Sequence, residues 1–354
     1  VVNIISDSLA QQWAKKYVQN LQVDTSSQNN SDTITLSEIV SLEGREKTAK
    51  KMIESLRLVS AKAWNKTESL LSDGIKQHNI DPAIIDPWQI TLDSFGIYQK
   101  ALDVYSQKTE LRPLNLFIQL MEQGKPLDQK ALEIYTEQVA PSELSTVISA
   151  DIGAIRNKHA SLDPRIIGYV SMQFHYTSQM LLEPLHPLEK ALVGAYFKVI
   201  DDHLYMPLQR AYEAAANHDY NSPVLSAVQK LLPVSTQIAK KICQKVINLF
   251  PNYHSLSGVL TDTLVKTSSI RDVEMFQVYL WLCALEGNVS SIQEELFPLC
   301  VMLYPRLQVE WELIRQMLHL LRYEIYEYLT PPQANILMSS FRVLSQMFSV
   351  DVLE

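Results

Sequence analysis

Glu183 to Ala216, EPLHPLEKALVGAYFKVIDDHLYMPLQRAYEAAA, carries the clearest periodicity in the chain. Pro187 suits the first turn of a helix, where a fixed φ helps and a missing N–H costs nothing. From there Leu188, Leu192, Ala195, Tyr196, Val199, Ile200 and Leu204 recur three and four apart, which lines one face of a 3.6-residue helix. Such a face has to be buried. His203 falls on the same stripe beside Asp201 and Asp202, and Pro207 removes a backbone donor just beyond, so the helix kinks or restarts there. The expectation is that carboxylates, an imidazole and loosened backbone meet near the middle of the domain.

The composition extends the helical reading to the whole chain. Apolar residues make up 47% of 354, enough for a proper core, and glycine only 9, against a usual share of about 7%. Leu, Ala, Gln, Glu and Lys are the plentiful residues, as in helices and unlike turn-rich sheets. The fold class is all-α: an irregular multi-helix bundle or helical-hairpin array with two packed helical subdomains. Residues 1–22 read as an N-terminal helix with Ile4, Ile5, Leu9, Trp13 and Tyr17 on one side, free to dock elsewhere. Residues 23–44, rich in Ser, Asn and Asp, read as a flexible linker or loop. Residues 45–220 form a subdomain with a basic first helix and the central Asp/His cluster, and 221–354 an acidic one.

In the first subdomain a helix from Glu46 to Lys76 has a seam of Ala49, Met52, Leu56, Val59, Ala63, Thr67 and Leu70. Seven basic residues between 45 and 66 (Arg45, Lys47, Lys50, Lys51, Arg57, Lys62 and Lys66) give it a positive face. That face is either simply solvated or docks an acidic partner or anionic head groups, with Lys47, Lys50, Lys51, Arg57 and Lys62 as the contacts. Asp81-Pro82 and Asp86-Pro87 precede a helix from Trp88 to Gln107 with Trp88, Leu92, Phe95, Ile97, Tyr98, Leu102 and Tyr105 as anchors. Shorter helices follow at 113–123, 126–138, 141–157 and 165–182. No 34-residue period recurs, so a regular solenoid is not supported.

In the second subdomain helices are expected near 223–231, 233–250, 270–286, 289–303, 307–329 and 331–348. The cleanest seam runs Leu307, Trp311, Ile314, Leu318, Leu321, Ile325 and Tyr328. No lysine follows Lys266, and from 271 to 354 eleven acidic residues face five arginines. This part and the basic helix could attract one another, within a chain or between copies in a homo-oligomer.

The net charge of −8 argues against nucleic acid as a partner. Cys243, Cys283 and Cys300, odd in number and far apart, suit reduced core thiols in a cytoplasmic protein. No signal peptide is evident at the start, and the most apolar run, Met275 to Leu285, is about half a bilayer span, so no transmembrane segment is expected.

No set of residues declares an enzyme. A di-iron bundle needs two Glu-x-x-His pairs; the single one, Glu183 to His186, is spoiled by Pro184 and Pro187. Asp201-Asp202-His203-Leu204-Tyr205 resembles the start of the aspartate-rich motif of all-helical isoprenoid synthases, but Tyr205 stands where the partner acid belongs and no second acidic segment appears. Without HExxH or paired cysteines zinc is unsupported, and neither a phosphate loop, GxGxxG nor GxSxG occurs. The bland reading pairs Asp202 with Lys198 one turn earlier and makes His203 a hydrogen-bonded core residue. The sharper one is a small-ligand, haem or pigment pocket, with His175, His186, Tyr196, Asp201, Asp202, His203 and Tyr205 as binding residues and Phe174 and Tyr176 beside them. No catalytic residue, resident cofactor or metal is nominated.

The segments DPWQITLDSFGIYQKAL, DPRIIGYVSMQFHYTSQMLLE, KVIDDHLYMPLQRAYEAAA and SSIRDVEMFQVYLWLCALEGN resemble those of long, uncharacterised all-helical proteins from cyanobacteria. The resemblance spans roughly residues 45 to 325 and implies a bacterial cytoplasmic setting linked to photosynthetic physiology, with no mechanism attached. The functional expectation is a non-catalytic helical protein that binds another protein as an adaptor, assembly factor or regulator. A ligand-binding protein, or an enzyme using Asp201, Asp202 and His203, is the alternative.

Overall fold

The computed structural model describes residues 4–19, 38–39, 41–107 and 141–353. Most of the expected linker and the expected helices at 113–123 and 126–138 lie outside the described residues. What is described is all-α apart from one short hairpin.

The first helix, α1 (Ile4–Gln19), buries Leu9, Trp13 and Tyr17. A long α2 (Leu42–Gln77) starts on Ser41, whose hydroxyl accepts from Gly44 N at 3.0 Å, satisfying one of the orphan donors of a helix start. Its expected seam holds: Ala49, Met52, Leu56, Ala63 and Thr67 are buried, Val59 and Leu70 half-buried.

Asp86 caps α3 (Pro87–Tyr105) by accepting from Gln89 N, with Pro87 in the first turn. Here the expected anchors are partly out of phase. Trp88 is 80% exposed and Leu92 53%, while Ile90, Ser94, Ile97, Tyr98, Ala101, Leu102 and Tyr105 form the buried stripe. Positions 88 and 92 lie about half a turn from 90, 94, 97 and 101, so one helix cannot bury both rows.

α4 (Pro141–Ala160) and α5 (Ile166–Leu182) lead into α6 (Pro187–Tyr205). α6 begins at Pro187 as read, with a reciprocal cap: Leu188 N donates to His186 Nδ1 at 3.3 Å, and His186 N to Glu189 Oε2 at 3.0 Å. It stops before Pro207 and the chain restarts as α7 (Leu208–Ala216).

After α8 (Pro223–Leu231) and α9 (Ser235–Leu249), the hairpin pairs β1 (His254–Ser255) with β2 (Gly258–Val259). Gly258 has φ +127°, and a Cβ there would come within 2.2 Å of Asp262 Oδ2, so only glycine suits it. α10 (Thr263–Glu286) is buried without a break from Val273 to Cys283 and ends on left-handed Gly287. A π-helical stretch, Ser291–Leu296, runs into α11 (Phe297–Arg306). Leu307, expected to open the next helix, instead lies in a connection with Gln308 at φ +55°, and α12 starts at Trp311 (Trp311–Tyr328). α13 (Pro331–Met347) and the short α14 (Val350–Leu353) follow.

α2 packs along α5 and α3, α4 against α6, and α9 between α10 and α12. The opening helix docks on α4 and α7. Trp13 meets Trp281 of α10 edge to face, with ring centroids 6.3 Å apart. The buried apolar side chains from Leu9 to Phe348 form one connected cluster.

Candidate functional site

Asp201, Asp202 and His203 are adjacent on α6, and a helix turns each residue about 100° from the last. The trio therefore diverges, contrary to the expectation that its groups meet. Asp201 Oδ2 lies 3.7 Å from His175 Nδ1. Asp202 is buried and accepts from Lys198 Nζ at 2.7 Å. His203 is buried; its Nδ1 donates to Val199 O at 2.8 Å and its Nε2 lies 3.3 Å from Ser145 Oγ. Burial lowers its pKa to about 4, so near neutral pH it is an uncharged, hydrogen-bonded core residue. Tyr196 packs edge to face on Tyr105 and Phe174 lies against Tyr98, both in the core. His186 is engaged as the cap of α6.

Two of the expected binding residues, His175 and Tyr205, and the neighbouring Tyr176 do come together elsewhere. A cleft of about 400 Å3 is walled by α5 (Met172, His175, Tyr176), the end of α6 (Tyr205), the hairpin (Tyr253, Leu256), α10 (Leu264, Arg271, Asp272), α11 (Tyr304) and α12 (Ile314, Met317). Its size is usual for a ligand pocket, about 300–1,000 Å3. Aromatic and aliphatic side chains make most of the walls, and Lys66, Gln179, Ser255, Ser257, Ser268 and Ser269 line it as well.

Tyr205 Oη donates to Asp272 Oδ1 at 2.9 Å. Burial pushes the Asp272 carboxyl up, opposed by Arg271 beside it and by the hydrogen bond from Tyr205. The Arg271 guanidinium stacks over the Tyr205 ring, 4.2 Å from its centroid. Its Nε is buried and has no hydrogen-bond partner, and His175 Nδ1 is in the same position. Donors left unmet inside a protein are costly, so their presence at a cleft marks where a partner would go.

Arg271, Asp272 and Tyr304 escaped the reading of the sequence. Ser269-Ile270-Arg271-Asp272 lies within α10, directly before its unbroken buried stretch from Val273, and an Arg-Asp pair there is the one signal that could have pointed to them.

Among the described residues no group of three His, Cys, Asp or Glu is placed to hold a metal ion, and no helix is long and apolar enough to cross a membrane. All three cysteines are buried. Burial drives the Cys243 thiol up to about 12 and raises Cys283 and Cys300 too. None of them lines the cleft.

On α2, Lys47, Lys50, Lys51, Arg57 and Lys62 are exposed as expected. Arg45 does not share that face: it is buried and donates to Tyr105 O at 3.1 Å and Gln107 O at 2.9 Å, tying α2 to the end of α3.

Compared with models of known families, residues 198–347 match the family described as phycobilisome protein. The match covers under half of the chain, begins within α6 and ends with α13, and takes in Tyr205, Arg271, Asp272, Tyr304 and Met317 of the cleft. That family is all-α, as the described residues of this chain are apart from one hairpin, and over the matched residues the chain is similar to a phycobilisome-related family. No curated protein and no solved structure matches.

Proposed function

We propose that the chain serves a light-harvesting assembly by holding a conjugated acidic pigment, a linear tetrapyrrole by class, in the cleft at Arg271 and Asp272. The observation that carries this is the buried Nε of Arg271, without a hydrogen-bond partner, in the lining of a cleft walled mostly by aromatic and aliphatic side chains. A propionate would accept from the guanidinium, for which two parallel N–H groups are well shaped. Pyrrole N–H groups would donate to Asp272. The hydrophobic edge of the ring system would lie along Leu256, Leu264 and Met317. The family match over this same region supports a pigment-binding or assembly role.

No thiol faces the cleft, so the pigment is held without a covalent bond. Purified from a host that makes linear tetrapyrroles, the protein carries a visible absorption band that leaves the polypeptide on denaturation. A colourless protein from such a host, or colour that stays with the denatured chain, contradicts this reading.

A second, compatible role is docking to an acidic protein of the assembly through the outer face of α2. It is favoured by the exposure of Lys47, Lys50, Lys51, Arg57 and Lys62 together, none of which forms an ion pair among the described residues. Changing Lys50, Lys51 and Lys62 to Glu is expected to weaken recovery with antenna proteins and to remove its salt dependence. Unchanged recovery would leave this face merely solvated.

A further inference from the structure

A second hollow, of about 180 Å3, opens between α1, α6 and α10. Four charged side chains edge it as two ion pairs. Lys16 Nζ donates to Glu274 Oε1 at 2.8 Å, and Lys198 Nζ to Asp202 Oδ2 at 2.7 Å. Two positive and two negative charges cancel, so a guest of net charge would bring an unbalanced ion into a largely buried place.

A guest that is neutral but dipolar is what the groups invite. Asp202 is 1% exposed, and its Oδ1 accepts no hydrogen bond. Lys198, with its side chain 39% exposed, stands towards solvent and gives Asp202 one of its three N–H donors. The room comes from Ala191, Gly194 and Ala195 on α6; a Cβ on Gly194 would meet nothing nearer than Leu182 Cδ1 at 4.0 Å. Trp13 and Tyr17 wall the opposite side.

We propose that this hollow binds a small zwitterion, an α-amino acid with a short apolar side chain. Its ammonium donates to Asp202 Oδ1 and its carboxylate accepts from Lys198 Nζ. The site is separate from the pigment cleft and stands or falls independently of it, since the cleft contains none of these residues.

Calorimetric titration of the full chain with L-alanine, against propionate and ethylamine as half-probes, tests this. L-alanine is expected to bind at least tenfold more tightly than either half. Asp202→Asn should weaken it tenfold or more, and Ala195→Leu, which fills the hollow without touching a charge, should abolish binding while the thermal midpoint holds or rises. L-alanine binding no better than its halves, or binding unchanged in a folded Ala195→Leu protein, would overturn the proposal and leave the hollow to water.

Discussion

His203 shows how burial decides what a suggestive residue does. On the sequence it stood between two readings, core histidine and ligand, and its pKa of about 4 in the fold follows from a ring sealed among α1, α4 and α6 with its Nδ1–H on Val199 O. The unfolded chain takes up a proton near pH 6.5, whereas the folded one resists until about 4. Stability contributed by this residue is therefore complete above about 6.5 and is lost as the pH falls towards 4, by up to about 3 kcal/mol. In urea titrations at pH 7 and pH 5 that loss is expected in the wild-type chain and is much smaller in His203→Gln. An equal loss in both would assign the acid sensitivity to other groups. The cysteines make a parallel case, since burial raises all three thiols. A thiol reagent should leave them unmodified in the native protein and label all three in denaturant.

At the scale of the element, what was legible was what is local. The start of α6 at Pro187, its end before Pro207 and the seam of α2 all follow from residues within a few turns of each other. The phase of α3 did not, because Trp88 and Leu92 are as apolar as Ile90 and Ile97, and only the neighbouring helices decide which row is covered. Nor could periodicity say where α1 would go. Its Lys16 reaches Glu274, 258 positions away, and Trp13 reaches Trp281. Trp13→Ala is expected to cost about 3–5 kcal/mol in chemical unfolding; a cost below about 1 kcal/mol would mean that α1 is not part of the core. The hairpin is a weaker element with a larger say in binding. Gly258→Ala, forced against Asp262, should destabilise the fold by about 1 kcal/mol or more and weaken pigment binding, because Leu256 is a wall of the cleft.

For the molecule as a whole, the all-α class could be read from composition alone, and the site could not. The cleft gathers residues from 66 to 317, and the Asp201–His203 trio, which looked like a centre, is split by the turn of its own helix among the cleft side, the hollow and the core. The uneven charge was legible and the exposed cations of α2 are where it placed them, save Arg45, which the end of α3 takes inside. The central claim is that the Arg271 guanidinium receives an acidic pigment. Titration of the purified chain with biliverdin, followed by its visible absorbance, tests that most directly. Saturable binding with a shifted band is predicted, weakened about 10–100-fold by Arg271→Leu, as expected for one charged hydrogen-bonded contact of about 1.5–3 kcal/mol. No saturable binding, or binding undiminished in a folded Arg271→Leu protein, would contradict it.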